Sequence, residues 1–505
     1  MHSGIRGAAM ASLVVAAALI VHADTQPTSQ EAAVQLQLAN LLFDDGRYND
    51  SLEIFQKAEK AADPALVKAA RTGVVTSALR IAEFALARTE AELLITADPR
   101  NPDILSLYGD ALWASGLFDQ ADEKYRDALA VAPQLARARH GVARSLESKN
   151  RLDEAMNEAQ AALRLAPRDL EIHHTVGNIF ERQHKFEEAA AAYGNFVNLL
   201  PNRDRSEKAA WSRAEIRFLR SFGQKTPFEI DPAAERMLYT VDFTLVNDKV
   251  IVKARVNDSP PQDFVLDTGS ENTVIARPTA QKLNITPITY TLSAGVGEVG
   301  LRGLQLARVD SFEVGTLKLR NLPCLIKNPP LRDLPTRETE SFSPLALGFS
   351  MLIDYKAHKL TIGRHLAPEP ADFELPLRLY RLATVSGIVD QDHHANFVVD
   401  TGGEVISISQ ATASALKRTS ELDRKIPLKV YGTSGWDRDA FLLPGVNLSF
   451  DAIKYDNFPV VVLNLDAPSA LLGFQLGGIV GHKFLSKYRV GIDLEKSVLR
   501  LKQVS

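Results

Sequence analysis

Two short stretches decide how this chain is read: Phe264-Val265-Leu266-Asp267-Thr268-Gly269-Ser270 and Phe397-Val398-Val399-Asp400-Thr401-Gly402-Gly403. They stand 133 residues apart (400 − 267), and the same step carries Ala280 onto Ala413 and Leu283 onto Leu416. It also carries Gly348, in Leu345-Ala346-Leu347-Gly348, onto Gly481, in Gly478-Ile479-Val480-Gly481. The apolar run before each aspartate reads as a short buried strand, and the Asp-Thr-Gly as the turn that ends it. Each copy then closes on a strand pair, Ile353-Asp354 to Leu360-Thr361-Ile362 and Ile492-Asp493 to Leu499-Arg500-Leu501. The first copy is shorter there, with no evident counterpart to residues 486–491. A lone Asp-Thr-Gly says little, because Asp and Gly are common in turns. Two at one fixed offset mark a duplicated lobe.

The pattern resembles the aspartic-protease fold, in its retropepsin-like branch, where each lobe supplies one Asp-Thr-Gly loop. Retropepsins pair two chains; here both lobes lie in one, at 237–366 and 374–505. The resemblance implies an all-β bilobal fold in which Asp267 and Asp400 hydrolyse peptide bonds with no cofactor and no metal. The chemistry explains the duplication. A single exposed carboxylate is a poor base towards water at neutral pH and has no proton to give. Two carboxyls in contact cannot both ionise, so they hold one proton between them, and one acts as base while the other acts as acid. Gly269 and Gly402 are expected to let a tight loop present N–H groups to the carboxylates. By the resemblance, Thr268 and Thr401 cross-link the loops beneath the pair, and the two apolar-apolar-Gly segments pack under them. Lobe two departs from the pattern at one place. Ser270 offers a hydroxyl beside its carboxylate, whereas Gly403 does not, which leaves the dyad's pKa values open.

A cover for the cleft is expected from a glycine-rich hairpin in each lobe. Gly295 and Gly297 mark the tip in lobe one; Gly432, Gly435 and Trp436 mark it in lobe two. The same glycines also suit ordinary hairpin turns. Cys324, in an apolar run with no base beside it in sequence, reads as a small core residue rather than a nucleophile.

Upstream the grammar changes. Pro99, Pro133, Pro167 and Pro201 recur every 34 residues, and Pro64 precedes them by 35. Ala87, Ala121, Ala155 and Ala189 keep the 34-residue step, as do Phe84, Phe118, Leu152 and Phe186. Each unit reads as two amphipathic helices, small where they cross and bulky between, with proline ending the second. The period and the residues Gly109, Ala121-x-x-x-Tyr125 and Pro133 resemble the tetratricopeptide repeat, which implies an all-α solenoid holding a protein partner in its concave groove. Five units fit in 35–201, and the domain, with a capping helix near 206–221, runs over 30–222. Residues 223–236, with Pro227 and Pro232, read as a linker, so solenoid and lobes are expected to be separable.

The amino terminus carries an uncharged small-residue and apolar run, Ala11 to Val21, followed by Val21-His22-Ala23 before Asp24. Residues 1–23 read as a secretory signal, which predicts a periplasmic or secreted protein not inserted in a membrane after cleavage; the alternative is an uncleaved anchor. Lys plus Arg is 58 against 62 for Asp plus Glu, a net charge of −4, which argues against a nucleic-acid binder. One cysteine among 505 residues excludes an intramolecular disulfide and a Cys-rich metal site. The reading is an exported aspartic endopeptidase whose repeats recruit a peptide or protein substrate or partner. Its rival is a non-catalytic peptide-binding adaptor that retains the fold. Glycoside hydrolysis also uses paired carboxylates but gives no reason for duplicated Asp-Thr-Gly loops.

Overall fold

The computed structural model describes residues 26–204, 206–235, 237–297, 301–327, 340–416 and 425–504. The expected signal at 1–23 lies outside them. Among the described residues no helix is long and apolar enough to cross a membrane.

Five antiparallel helix pairs make the amino-terminal half: α1 (Ser29–Asp44) with α2 (Tyr48–Ala58), α3 (Pro64–Arg80) with α4 (Phe84–Ala97), α5 (Pro102–Ala114) with α6 (Phe118–Val131), α7 (Ala136–Ser148) with α8 (Leu152–Leu165), and α9 (Leu170–Arg182) with α10 (Phe186–Leu199). Pro99, Pro133, Pro167 and Pro201 each stand two residues past the second helix of a pair. Pro64 does the opposite. It opens α3, where a missing N–H costs nothing, behind Asp63, whose carboxylate accepts from Ala65 N at 2.8 Å. Glycine on the inner helices makes room for an aromatic ring on the outer ones. A Cβ on Gly109 would lie 2.6 Å from the Tyr125 ring, and one on Gly141 of the next pair 2.4 Å from it. Tyr125 is thus sealed between two pairs and is fully buried.

The solenoid curls until its ends meet. Asn202 Nδ2 reaches Asp45 Oδ1 at 3.3 Å, and Arg80 of α3 pairs with Glu171 of α9. A final helix, α11 (Glu207–Arg220), continues the inner-helix series rather than capping an open end: Glu147, Glu181 and Glu215 keep the 34-residue step on α7, α9 and α11.

Lobe one holds β1 (Tyr239–Val246), β2 (Lys249–Val256), β3 (Gln262–Leu266), β4 (Thr273–Ile275), β5 (Thr289–Ala294), β6 (Leu301–Val314), β7 (Leu317–Ile326), β8 (Glu340–Phe342), β9 (Ser350–Asp354) and β10 (Lys359–Gly363). Lobe two holds β11 (Phe373–Tyr380), β12 (Leu382–Val389), β13 (His393–Val399), β14 (Ser407–Ser409), β15 (Ile426–Pro427), β16 (Val430–Gly432), β17 (Gly435–Asp437), β18 (Phe441–Phe450), β19 (Ile453–Leu463), β20 (Gly478–Val480), β21 (Tyr488–Asp493) and β22 (Val498–Gln503). The lobes are joined by one antiparallel sheet in the order β1-β10-β9-β21-β22-β11. Its centre is nearly two-fold, with Met351 opposite Ile492 and Ile353 opposite Val490. The outer strand on each side bends out of this sheet into its own lobe, β1 onto β2 and β11 onto β12. Phe264, Phe312 and Phe342 pack in lobe one, and Phe397 and Phe450 in lobe two, all fully buried in one continuous core.

The structure corrects the sequence alignment of the lobes. β8 runs parallel to β3 with Phe342 opposite Leu266, and β20 runs parallel to β13 with Val480 opposite Val399. The counterpart of Val480-Gly481 is therefore Phe342-Ser343, not Leu347-Gly348, and the step here is 138 (480 − 342). Leu345–Leu347 is a 3-10 turn matching the short helix His482–Leu485, and β9 is the partner of β21 that lobe one was expected to lack. Loops of unequal length after the motif had shifted the register.

Solenoid and lobes pack against each other instead of being strung on a loose connection. Trp113 and Phe118 pack on Tyr380 and Phe474 with ring centroids 5.7 and 5.0 Å apart. Gln475 N donates to Ala114 O at 2.7 Å, and Trp211 Nε1 donates to Thr291 Oγ1 at 3.0 Å. The stretch 223–236 is no loose linker either: Glu229 and Arg320 exchange backbone hydrogen bonds at 3.0 and 2.9 Å, and Phe228 stacks on His184 at 4.5 Å. Proline there sets a path along the lobe surface rather than a hinge.

Candidate active site

β3 and β13 each end on an aspartate whose backbone N–H is held by the neighbouring parallel strand: Asp267 N donates to Phe342 O and Asp400 N to Val480 O, both at 3.0 Å. The two loops are tied crosswise. Thr268 N donates to Thr401 Oγ1 at 3.1 Å, and Thr401 N to Thr268 Oγ1 at 3.0 Å. Each hydroxyl then donates to the strand of the other lobe, Thr268 to Val399 O at 2.6 Å and Thr401 to Leu266 O at 2.7 Å. Both threonines are buried, so these four bonds face no competition from water.

The crosslink places Asp267 and Asp400 side by side in a cleft floor. Gly269 N donates to Asp267 Oδ1 at 3.1 Å, and Gly402 N to Asp400 Oδ1 at 2.8 Å. These glycines are required for a reason the sequence did not reveal. Neither has a positive φ. A Cβ on Gly269 would sit 2.5 Å from Asp400 Cγ, and one on Gly402 would sit 2.6 Å from Asp267 Oδ1. Each glycine lets the opposite carboxyl approach.

The asymmetry at the next position also dissolves. Ser270 Oγ donates to Asn272 O at 2.8 Å instead of to a carboxylate. In lobe two the backbone N–H of Gly403 bonds Asp400, and a Cβ there would lie 2.8 Å from Asp400 Oδ2. Neither lobe thus brings a side-chain hydroxyl to its aspartate through this residue.

Burial, and then the charge of Asp400, push the Asp267 carboxyl up to about 7. Burial raises Asp400 as well, but N–H groups of Gly403 and Gly402 hold it back, and the hydrogen bond from Asp267 favours its ionised form. Both carboxyls are thus pushed towards their protonated forms, and two so close together cannot both ionise, so the pair holds one proton between them. Lys249, half-buried at the start of β2, donates to Gly402 O and favours the ionised form of both carboxyls. Sequence reading passed over it, because a lysine after the Asn247-Asp248 turn looks like any solvated strand end.

The two glycine tips meet over the cleft. Gly295 N donates to Ser434 Oγ at 3.0 Å, and Ser434 N donates to Val296 O at 2.9 Å. A Cβ on Gly432 would lie 2.3 Å from Val296 O, and one on Gly297 (φ +135°) would lie 2.4 Å from Ser434 C. Gly435 opens β17, which pairs with β16, and Trp436 packs on the Tyr431 ring at 5.4 Å rather than lining the cavity. Beneath the tips lies a cavity of about 1650 Å³ that contains both aspartates. Its far wall is the inner face of the solenoid, including Trp113, Arg144, Glu181 and Tyr193. The repeat groove, expected to hold a partner on a free concave surface, is one space with the cleft that holds Asp267 and Asp400. Cys324 lies apart in the lobe-one core, its thiol pushed up to about 12 by burial.

Residues 252–350 match the family model described as aspartyl protease, a span that contains the Asp267 loop. No curated protein matches the chain. Among solved structures, a thermophilic tetratricopeptide-repeat protein of Thermus thermophilus is 19% identical, with a TM-score of 0.32, over 37% of this chain and 98% of its own. YrrB, described as a tetratricopeptide-repeat protein with an unusual peptide-binding site, is 18% identical, with a TM-score of 0.23, over 36% and 92%. Pseudomonas aeruginosa pilF is 15% identical, with a TM-score of 0.26, over 38% and 92%. The repeat architecture itself rests on the helix pairs described above.

Proposed function

We propose that this chain, an aspartyl-protease family domain behind an amino-terminal helical-repeat solenoid, is an exported endopeptidase that hydrolyses peptide bonds between Asp267 and Asp400. The observation that carries this reading is the four-bond threonine crosslink, which forces two carboxyls from different lobes together at the floor of one covered cavity. Asp400, ionised, takes a proton from a water as its oxygen attacks the carbonyl carbon. Asp267 gives its proton to the carbonyl oxygen, so the tetrahedral intermediate forms without a naked oxyanion. Collapse then breaks the C–N bond: the proton held by Asp400 goes to the leaving nitrogen, and a diol proton returns to Asp267. No acyl-enzyme is needed. The glycine tips must part to admit a polypeptide and close to exclude bulk water.

Incubating the full chain with an unfolded-protein mixture and reading fragments by mass spectrometry tests the activity. Fragments should appear in the presence of serine, cysteine and metal-directed inhibitors; their absence at every pH from 3 to 8 would count against the proposal. The missing hydroxyl at Gly403 does not favour the adaptor alternative, because Ser270 turns its own hydroxyl to Asn272 O and the lobes do not differ there.

Lys249 yields a pH prediction. Its charge favours the ionised form of both carboxyls, so Lys249→Met raises both pKa values. The active form needs one proton lost from the doubly protonated pair, and that loss then occurs at higher pH. The acid limb of kcat/KM against pH should move up by about 1 unit, while Lys249→Arg should leave it in place. An unmoved limb in the Met variant would show that Lys249 does not act on the dyad.

A further inference from the structure

One corner of the cavity gathers three carboxyl groups. Glu271, four residues past Asp267 on the same loop, faces Glu181 of α9 and Glu215 of α11 across the gap between lobe and solenoid, and all three line the cavity. One guanidinium enters this corner: Arg381, at the turn between β11 and β12, bonds Glu271 Oε2 at 2.7 Å and Leu471 O at 3.1 Å. Glu181 receives the Tyr193 hydroxyl at 2.7 Å. Neither Glu181 nor Glu215 forms an ion pair among the described residues. Burial raises the pKa of both, and the charge of Glu181 raises Glu215 further. The charge of Arg381 reaches both acids, but its guanidinium is bonded to Glu271 and to neither of them.

A separate observation lies next along the same wall. Glu147, one repeat before Glu181, is 2% exposed, and its Oε2 has no hydrogen-bond partner although it lines the cavity. Its other oxygen stands 3.6 Å from Arg182. A buried acceptor left unpaired is costly, and such a cost in a binding cavity points to a donor brought by the ligand. The described residues hold no group of three His, Cys, Asp or Glu placed for a metal ion, so the missing donor is not a metal in a ready cage.

We propose that Glu181, Glu215 and Glu271, with Glu147 behind them, form a subsite that receives a basic side chain of the substrate polypeptide, so that the solenoid sets the specificity of the catalytic cleft. This rests on the endopeptidase reading above. A lysine or arginine of an extended segment across Asp267 and Asp400 supplies hydrogen-bond donors to Glu181, Glu215 and Glu147, and its charge favours their ionised forms. The solenoid face then acts inside the cleft as a wall of the substrate site, and not as a remote recruiting arm.

The test is binding, on the full chain carrying Asp400→Asn to stop turnover, of matched decapeptides with lysine or its uncharged isostere norleucine at each position in turn. Lysine should be preferred at one position by about tenfold or more, the worth of a charge-assisted hydrogen bond out of water. Glu215→Gln and Glu181→Gln should each reduce that preference at least several-fold while norleucine peptides bind as before. Glu215 has no hydrogen-bond or ion-pair partner among the described residues, so its variant should keep the fold, and unchanged norleucine binding reports that. No lysine preference at any position, a preference that survives both substitutions, or no binding of any peptide overturns the subsite. Should the lysine preference appear while the parent chain cleaves nothing, the subsite stands and the endopeptidase reading fails.

Discussion

Asp267→Asn and Asp400→Asn should each lower kcat/KM for the proposed peptide hydrolysis by about 10²–10⁴-fold, the worth of a positioned acid or base. Asparagine keeps the size and most hydrogen bonds of the carboxyl but neither holds nor releases the shared proton. The double variant should be little worse than either single one, because two groups that act as a unit are lost together. Stability moves the other way. The Asp267 carboxyl is raised to about 7 in the folded chain, far above its value in an unfolded one. A carboxyl with a raised folded pKa lowers stability as pH climbs from about 4 to about 7. Asp267→Asn should therefore raise Tm at pH 7, and the gain should fade near pH 4. Thermal scans at the two pH values, beside kinetic assays, check both halves. Full activity in either Asn variant would remove that carboxyl from the mechanism.

Deleting residues 26–222 should leave the lobes insoluble or without a cooperative transition. The sequence pointed to the opposite outcome, a solenoid detachable at a proline-containing linker. In the structure Trp113 and Phe118 share a cluster with Tyr380, Leu465, Leu472, Phe474 and Leu476 of lobe two. Each lobe side chain stripped of that cover forfeits about 1.5–3 kcal/mol, and five together rival the ~5–15 kcal/mol that holds a whole domain. Loss of Trp211 also frees Thr291 on the strand leading to the lobe-one tip. Soluble yield and calorimetry of residues 223–504 decide the matter; a soluble fragment melting cooperatively and cleaving peptides would show that the solenoid is dispensable.

What was legible in the sequence was what repeats. The doubled Asp-Thr-Gly and the 34-residue step each express one local structure twice or more, so spacing alone exposes them. Gly348 shows the limit of that method: it satisfies the spacing to Gly481, yet strand pairing hands its place to Ser343, because the loops between are of unequal length. Lys249, Glu271 and Arg381 carry no local signal, since each acquires its role from a residue more than a hundred positions away. Trp113 and Phe118 looked like ordinary repeat core. That they also reach the second lobe depends on how far the solenoid curls, which small crossing angles accumulate and no motif records.

If the proposed chemistry holds, Asp267 and Asp400 together grip the tetrahedral centre of a peptide bond under attack. That grip is tested most directly by calorimetric binding of a peptide mimic whose central hydroxyl stands where that centre forms, beside the same compound without the hydroxyl. The hydroxyl should tighten binding to the full chain by at least about a hundredfold, and this advantage should collapse in Asp400→Asn. Equal binding of the two compounds to the parent chain, or an advantage that persists undiminished without the Asp400 carboxylate, would contradict that chemistry.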